Sequence, residues 1–359
     1  MDSRQRILAA LARRPPDRLP LWETTIWPET LGRWRAEGLP RDVDFNEYFG
    51  LDPLTCVNDL FDPSFGLPER TLEATDEYRV YVDRYGKTVK EWLRGSSPPS
   101  ILEPAIRSPA EWQGIKPRLT ADEGKFDNPA AEAAYQAARA AGHFIAITPA
   151  EPVWFVIYLT LGYEAGLLAL ARNPALVADM LATYTDYLIA MLDCTHARGY
   201  RFDALWFWSD LCYRNGLLFS PQTARRLVLP HWQRLGQYAH AHGMRLMFHC
   251  DGNVGQLIPL LLEAGLDAIH PLEARAGNDV GDYKRRFGDR LCLIGNINAD
   301  VVATNDPAQI KREVATKVPV AAAGGGYIYN IDHSVPPTVS LESYRYLLEC
   351  VRQYGACAV

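Results

Sequence analysis

Short apolar runs rich in Val, Ile, Leu and aromatic residues recur along the chain, separated by longer segments whose apolar positions repeat about every 3.6 residues. Eight such runs predict strands, at residues 19–23, 53–57, 143–148, 204–208, 245–249, 268–270, 291–295 and 327–329. The helical pattern occupies 130–141, a long pair over 163–198, and then 221–242, 254–264, 280–287, 307–322 and 341–354. Ser220 before Pro221 and Asp306 before Pro307 each supply an N-cap oxygen followed by a proline at the first helical position. Gly265 and Gly288 stand where two of the helices should stop. Repeated βα units need parallel strands joined by crossover helices, and eight of them close into a barrel. The predicted fold is therefore α/β, a single (β/α)8 TIM-type barrel spanning 1–359.

One region breaks the rhythm. Tyr78, Val80 and Val82, then Val89 and Trp92, alternate about an Asp-Arg-Tyr-Gly turn, which predicts an antiparallel hairpin. Residues 59–128 read as an insertion in one βα loop, either covering the barrel mouth or decorating its side.

Composition narrows the function classes. The 359 residues carry 37 Lys+Arg against 43 Asp+Glu, a formal charge of −6, which excludes a basic nucleic-acid-binding surface. No apolar signal core follows the polar amino end, and the uncharged stretches near 152–163 and 318–331 fall short of the ~20 residues of a membrane helix. Seven scattered cysteines without a CxxC pair suit reduced thiols. The expectation is a soluble cytoplasmic protein with no membrane partner.

In a parallel barrel, chemistry gathers at the carboxyl ends of the strands. There the chain offers Glu23, Glu151, Ser209-Asp210, His249-Cys250-Asp251, His270 with Glu273, Asn296 with Asn298, and Asn330 with Asp332-His333. His249 and Asp251 lie two apart and would project together. With Glu273 and His333 they supply four N/O ligands for Zn²⁺ or a similar divalent ion. The plainer alternatives are that Asp251 caps the next helix, that Glu273 pairs with Arg275, and that His249 bonds to backbone. His270 reads as a core or supporting histidine, and Cys250 points away from His249. Asp210, leaving the apolar Trp-Phe-Trp run, suits general acid or base work, as do Glu151 and His333. Trp22, Trp27, Trp154, Trp208 and Tyr213 line the mouth or pack beneath it, and Asn296 and Tyr329 join them as substrate-binding candidates. The glycines at 324–326 precede a strand, which argues against a phosphate cradle.

Four segments carry a family resemblance: Phe-His-Cys-Asp-Gly-Asn at 248–253, Ala-Ile-His-Pro-Leu-Glu-Ala at 268–274, Gly-Asp-Arg-Leu-Cys-Leu-Ile-Gly-Asn-Ile at 288–297, and Gly-Gly-Tyr-Ile-Tyr-Asn-Ile-Asp-His-Ser-Val-Pro-Pro at 325–337. Together they resemble the uroporphyrinogen decarboxylase superfamily, which includes corrinoid-linked and coenzyme M methyltransferases. The resemblance implies a (β/α)8 barrel and a homodimer. True uroporphyrinogen decarboxylases of this family carry Arg-Gln-Ala-Gly-Arg after the first strand to hold a polycarboxylate. Here that place reads Glu23-Thr-Thr-Ile-Trp-Pro-Glu, with no arginine before Arg33. The methyltransferases use a His-x-Cys pair and a later Cys for zinc. This chain keeps His249, puts Asp251 where the first Cys stands, and offers Asp332-His333 near the second, with Glu273 near an acidic position.

The leading expectation is a metal-dependent methyltransferase or demethylase of a small organic substrate, with zinc, and with a corrinoid protein or tetrahydrofolate as methyl carrier. The alternatives are a metal-free decarboxylase or lyase of a small carboxylic acid using His333 and Asp210, and a non-catalytic partner barrel in a methyl-transfer complex.

Overall fold

A computed structural model describes residues 1–24, 26–94 and 99–356. Thr25 and Cys357 lie outside the described residues. In chain order the strands are β1 (Leu54–Asn58), β2 (Arg70–Ala74), β3 (Tyr78–Val82), β4 (Thr88–Trp92), β5 (Ser100–Glu103), β6 (Phe144–Thr148) and β7 (Ala204–Trp208). They continue as β8 (Cys212–Tyr213), β9 (Gly216–Leu217), β10 (Arg245–His249), β11 (Ala268–His270), β12 (Cys292–Ile294) and β13 (Tyr327–Ile328). Seven of them form one parallel sheet in the order β1-β6-β7-β10-β11-β12-β13. A helix lies in the connection between each successive pair of these strands, an arrangement consistent with a TIM-type barrel. A sheet buried on both faces favours unbroken apolar runs, and Ala-Leu-Trp-Phe-Trp of β7 is such a run.

The first predicted strand is not a regular one. Leu21 makes a single parallel bridge to Tyr329, with Trp22 N–H donating to Tyr329 O at 3.1 Å and Tyr329 N–H to Pro20 O at 3.0 Å. Pro20 has no N–H to give a ladder. Leu21 N–H donates to a side chain, Asp52 Oδ2, at 3.0 Å, while Asp52 N–H donates back to Leu21 O at 2.6 Å.

That clasp recurs. Asp203, just before β7, gives its N–H to Ile145 O (2.8 Å) and accepts Ile145 N–H (3.0 Å). Asp267, just before β11, does the same with Leu246 (2.8 and 2.9 Å). Each aspartate thus terminates a ladder at the amino end of the sheet, and each binds a cation as well. Arg6 and Arg18 reach Asp52, Arg4 reaches Asp203, and Arg245 with His240 reaches Asp267. The same clasp ties Leu21 to Asp52, two residues before β1, as it ties β6 to the start of β7 and β10 to the start of β11.

An amino-terminal helix that the apolar pattern did not predict, Ser3–Leu11, packs beneath the sheet. Its capping box pairs Asp2 with Gln5. Ile7, Ala10 and Leu11 join Phe144, Ala146, Ala204, Trp206, Met247, Ile294 and Ile328 in one buried cluster. Elsewhere the predicted helices hold closely, Val280–Phe287 and Pro307–Ala322 among them. Pro174–Ala197 is long and apolar enough to cross a membrane, but Val177, Leu181, Tyr184, Leu188 and Leu192 are buried in the core.

Between β1 and the helix Pro129–Ala140, the predicted hairpin is the centre of a four-stranded antiparallel sheet, β2-β3-β4-β5. Asp83 and Gly86 close its turn, where Gly86 has φ +90°. This region packs against the segment following β6. Phe65 and Tyr85 meet Phe155, the Lys87 ammonium lies 5.4 Å from the Tyr158 ring centroid, and Ile106 N–H donates to Thr160 O.

Candidate metal centre

β7 and β10 pair in register, placing Trp208 beside His249 at their carboxyl ends. The Trp208 and His249 rings stack at 4.3 Å with 19° between planes. Two residues further on, Asp210 and Asp251 emerge side by side, and Asp251 N–H donates to Asp210 Oδ1 at 3.0 Å. His249 Nε2 lies 3.6 Å from Asp210 Oδ1 and 3.8 Å from Asp251 Oδ1. One ligand atom from each of the three residues lies within 4.8 Å of the others. Burial pushes the His249 pKa down to about 4, against the opposing pull of Asp210, so its ring is neutral at physiological pH. Burial, reinforced by Asp210, pushes Asp251 up to about 7. A neutral imidazole and two acids at this spacing fit a divalent ion bound through N and O, with coordination positions left for other ligands.

The expected four-ligand set is not assembled. Asp210, expected as a proton carrier, joins His249 and Asp251, whereas Glu273 and His333 stand outside the group. Glu273 is occupied: Oε2 accepts Gly252 N–H at 2.8 Å and Oε1 accepts Arg275 Nε–H at 2.5 Å. Burial disfavours its charge, yet Arg275 and the Gly252 N–H outweigh that and hold its pKa below the usual value. His333 is near enough to help lower the His249 pKa. With Glu273, Arg275, Asp332 and Trp27 it lines a cavity of about 220 Å³. Asp332 accepts Ala274 and Ala299 N–H, pinning the two loops that bound this cavity.

Behind the cluster the polar contacts continue inward. His249 Nδ1 is 2.7 Å from His270 Nδ1, and His270 Nε2 is 2.9 Å from Thr24 Oγ1 and 3.0 Å from Asn330 Oδ1. Asn330 Nδ2 donates to Trp22 O at 3.1 Å and to Glu23 Oε2 at 3.3 Å. Glu23 Oε1 accepts the Tyr329 and Tyr344 hydroxyls, and burial pushes its pKa up to about 7. His270 thus touches the cluster through His249, and Cys250 is buried with its thiol donating to Asp251 O at 3.2 Å.

The remaining candidates divide by burial. Glu151 is wholly enclosed and caps the helix after β6, accepting Trp154 N–H, the Ser209 hydroxyl and the Trp232 indole N–H. Burial raises its pKa. Asn296, also wholly buried, ties Leu272 O and Asn278 O and accepts Val280 N–H, leaving no polar group for a ligand. Tyr329 spends its hydroxyl on Glu23. Trp22 packs against Trp206 and His270 inside the barrel. Trp154 stacks on Tyr158, and Tyr213 is 59% exposed on the β8–β9 hairpin. Sequence reasoning gave Asn330 and Thr24 no function. The only available signal was that both follow predicted strands.

A family model described as uroporphyrinogen decarboxylase (URO-D) matches residues 89–354. A uroporphyrinogen decarboxylase of Coxiella burnetii (strain Dugway 5J108-111) is 23% identical over 98% of this chain and 95% of its own. One from Pseudoalteromonas translucida is 32% identical across a stretch covering 29% of this chain and 28% of that protein. Among solved structures, a methyltransferase from Methanosarcina mazei superposes with a TM-score of 0.64 at 16% identity, covering 99% of each chain, and so shares the fold. With the family model spanning most of the strands and the whole candidate metal cluster, the chain belongs to the uroporphyrinogen decarboxylase family.

Proposed function

We propose that this member of the family is a metal-dependent enzyme that transfers a methyl group to or from a small organic substrate, with a corrinoid or tetrahydrofolate-type carrier. The observation that carries the reading is the convergence of His249, Asp210 and Asp251 at the carboxyl ends of β7 and β10. A divalent ion there, zinc in the first instance, would act as a Lewis acid on the group that gives or receives the methyl. The protein's own parts have separable tasks. Trp208 fixes the His249 ring by stacking, Asp251 and Asp210 supply charge, and Trp27 offers a flat apolar wall in the neighbouring cavity. His333, on that cavity's wall, is placed to hold or pass a proton. A uroporphyrin-like polyanion is disfavoured because Glu23 stands where the decarboxylases place arginines, and the cluster itself is acidic.

A second reading, decarboxylation of a small acid, draws support from Arg275 and His333 lining the same cavity. One experiment separates the two. Protein purified without chelator is assayed for zinc, iron, nickel and cobalt. It is then tested for methyl transfer from methylcobalamin or methyl-tetrahydrofolate to small thiols, and for CO2 release from small carboxylic acids. The expected result is about one metal equivalent per chain, methyl transfer that depends on it, and loss of both in His249→Ala. Less than about a tenth of an equivalent, bound or bindable, overturns the metal-dependent reading. Metal-independent CO2 release establishes the second.

A further inference from the structure

We infer that Asn330, anchored by Trp22 O and Glu23, is a positioning residue that acts through His270 to hold the His249 Nε2 atom as a bare lone pair facing Asp210 and Asp251. The inference takes its functional consequence from the metal-dependent reading above, but its geometry stands by itself. Each contact in the chain from Glu23 to His249 admits one direction of hydrogen bonding.

Asn330 Nδ2 faces two acceptors, Trp22 O at 3.1 Å and Glu23 Oε2 at 3.3 Å. A flipped amide would set its oxygen against both, so Oδ1 must face His270. The Thr24 hydroxyl donates to that same Oδ1 at 3.3 Å, leaving its lone pair toward His270 as well. His270 Nε2 therefore meets two acceptors, at 3.0 and 2.9 Å, and must carry the proton. A buried neutral imidazole has one N–H, so His270 Nδ1 is an acceptor. Its partner 2.7 Å away, His249 Nδ1, is then the donor, and His249 Nε2 is left unprotonated.

The outcome is unusual for a metal-free protein. Three acceptor atoms, two of them on acids, are turned toward one another at 3.6 and 3.8 Å, and among the described residues the one hydrogen-bond donor to them is Asp251 N–H, which goes to Asp210 Oδ1. For a metal ligand the same arrangement is the working one, because the second ring nitrogen of a ligating histidine is ordinarily tied by its N–H and the lone pair is presented ready-made. Glu23 can hold its role in either protonation state. Oε2 sees only donors, from Asn330 and Ile331, whereas a proton on Oε1 faces two tyrosine hydroxyls able to accept it.

The test is long-range proton–nitrogen correlation spectroscopy on the full chain, labelled with nitrogen-15 histidine and freed of metal with EDTA. In the unmutated protein, His249 is expected to show a protonated Nδ1 and a pyridine-like Nε2, and His270 the reverse. Asn330→Asp keeps the acceptor toward His270 and should keep both tautomers. Asn330→Leu, with or without Thr24→Val, should produce a second signal set with protonated His249 Nε2 and weaken zinc binding by roughly 10–100-fold. A protonated His249 Nε2 in the unmutated chain overturns the inference, and this measurement needs no variant to fold. So does a folded Asn330→Leu protein whose histidine spectrum is unchanged. Failure to bind zinc with the tautomers as stated would sink the functional reading and leave the positioning chain standing.

Discussion

The two ends of the sheet use acidic residues in opposite ways. At the amino end, Asp52, Asp203 and Asp267 each accept a backbone N–H of the neighbouring strand and at least one guanidinium. At the carboxyl end, Asp210 and Asp251 face each other and a neutral histidine, with one backbone N–H between them. Matched charges of the first kind stabilise; unmatched ones of the second kind cost stability, a pattern that functional sites share. Acid content alone does not distinguish them, but the presence of donors does.

The comparison breaks most readily at Asp52. Replacing it with Ala leaves the buried Arg6 Nη1 and the Leu21 N–H without their acceptor, although Asp17 still pairs with the rest of the guanidinium. The expected loss is about 3–5 kcal/mol of unfolding free energy, read by urea denaturation. A loss below about 1 kcal/mol would mean that the clasp is ornamental.

Glu23 tests a middle case, an acid at the mouth end that is buried and hydrogen-bonded but lacks a cation. Its pKa rises from 4.5 to about 7, burial being the largest cause. Between those values the folded chain keeps a proton that the unfolded chain has released. Its contribution is therefore fully present below pH 4.5 and is lost as pH rises through 7. Relative to Glu23→Gln, which has no such proton, the wild type should lose up to about 3 kcal/mol between pH 5 and 8. Parallel stability profiles for the two proteins would refute this.

The parts of this molecule that sequence could announce are those written locally. β7 is a continuous apolar run and β10 an apolar Leu-Met-Phe core between Arg245 and His249, and Val280–Phe287 and Pro307–Ala322 carry their own caps in Asp279 and Asp306. The helix Ser3–Leu11 stayed hidden because Arg4 and Arg6 make it look polar, although their charges are matched by Asp203, Asp17 and Asp52 far along the chain. His249 and Asp251 were legible as a pair two residues apart. Asp210 as their companion was not, since that depends on the register that sets Trp208 opposite His249. Parity along an extended strand also misleads past β11, where Leu272 turns to φ +60° and the loop delivers Glu273 to Gly252 N–H and Arg275 rather than to the cluster.

On the proposed metal-dependent reading, zinc would sharpen the contrast between the ends by supplying the missing positive charge at one of them. At a free concentration about 100 times its dissociation constant it should stabilise the wild type by about 2.7 kcal/mol, by mass action. Asp52→Ala should keep that increment, because its defect lies at the other end, and His249→Ala should lose it.

The smallest effect is the most discriminating. Without metal, Asp251→Asn relieves the burial of a charge and the repulsion by Asp210 that together raise its pKa, and it removes no hydrogen bond that the wild-type carboxylate accepts from a described donor. Its stability should therefore stay within about 1 kcal/mol of wild type, on the favourable side, while zinc binding falls. An apo protein destabilised by this change to the extent expected of Asp52→Ala would show that the mouth acids are structural after all. The difference between the two ends would then be one of position rather than of purpose.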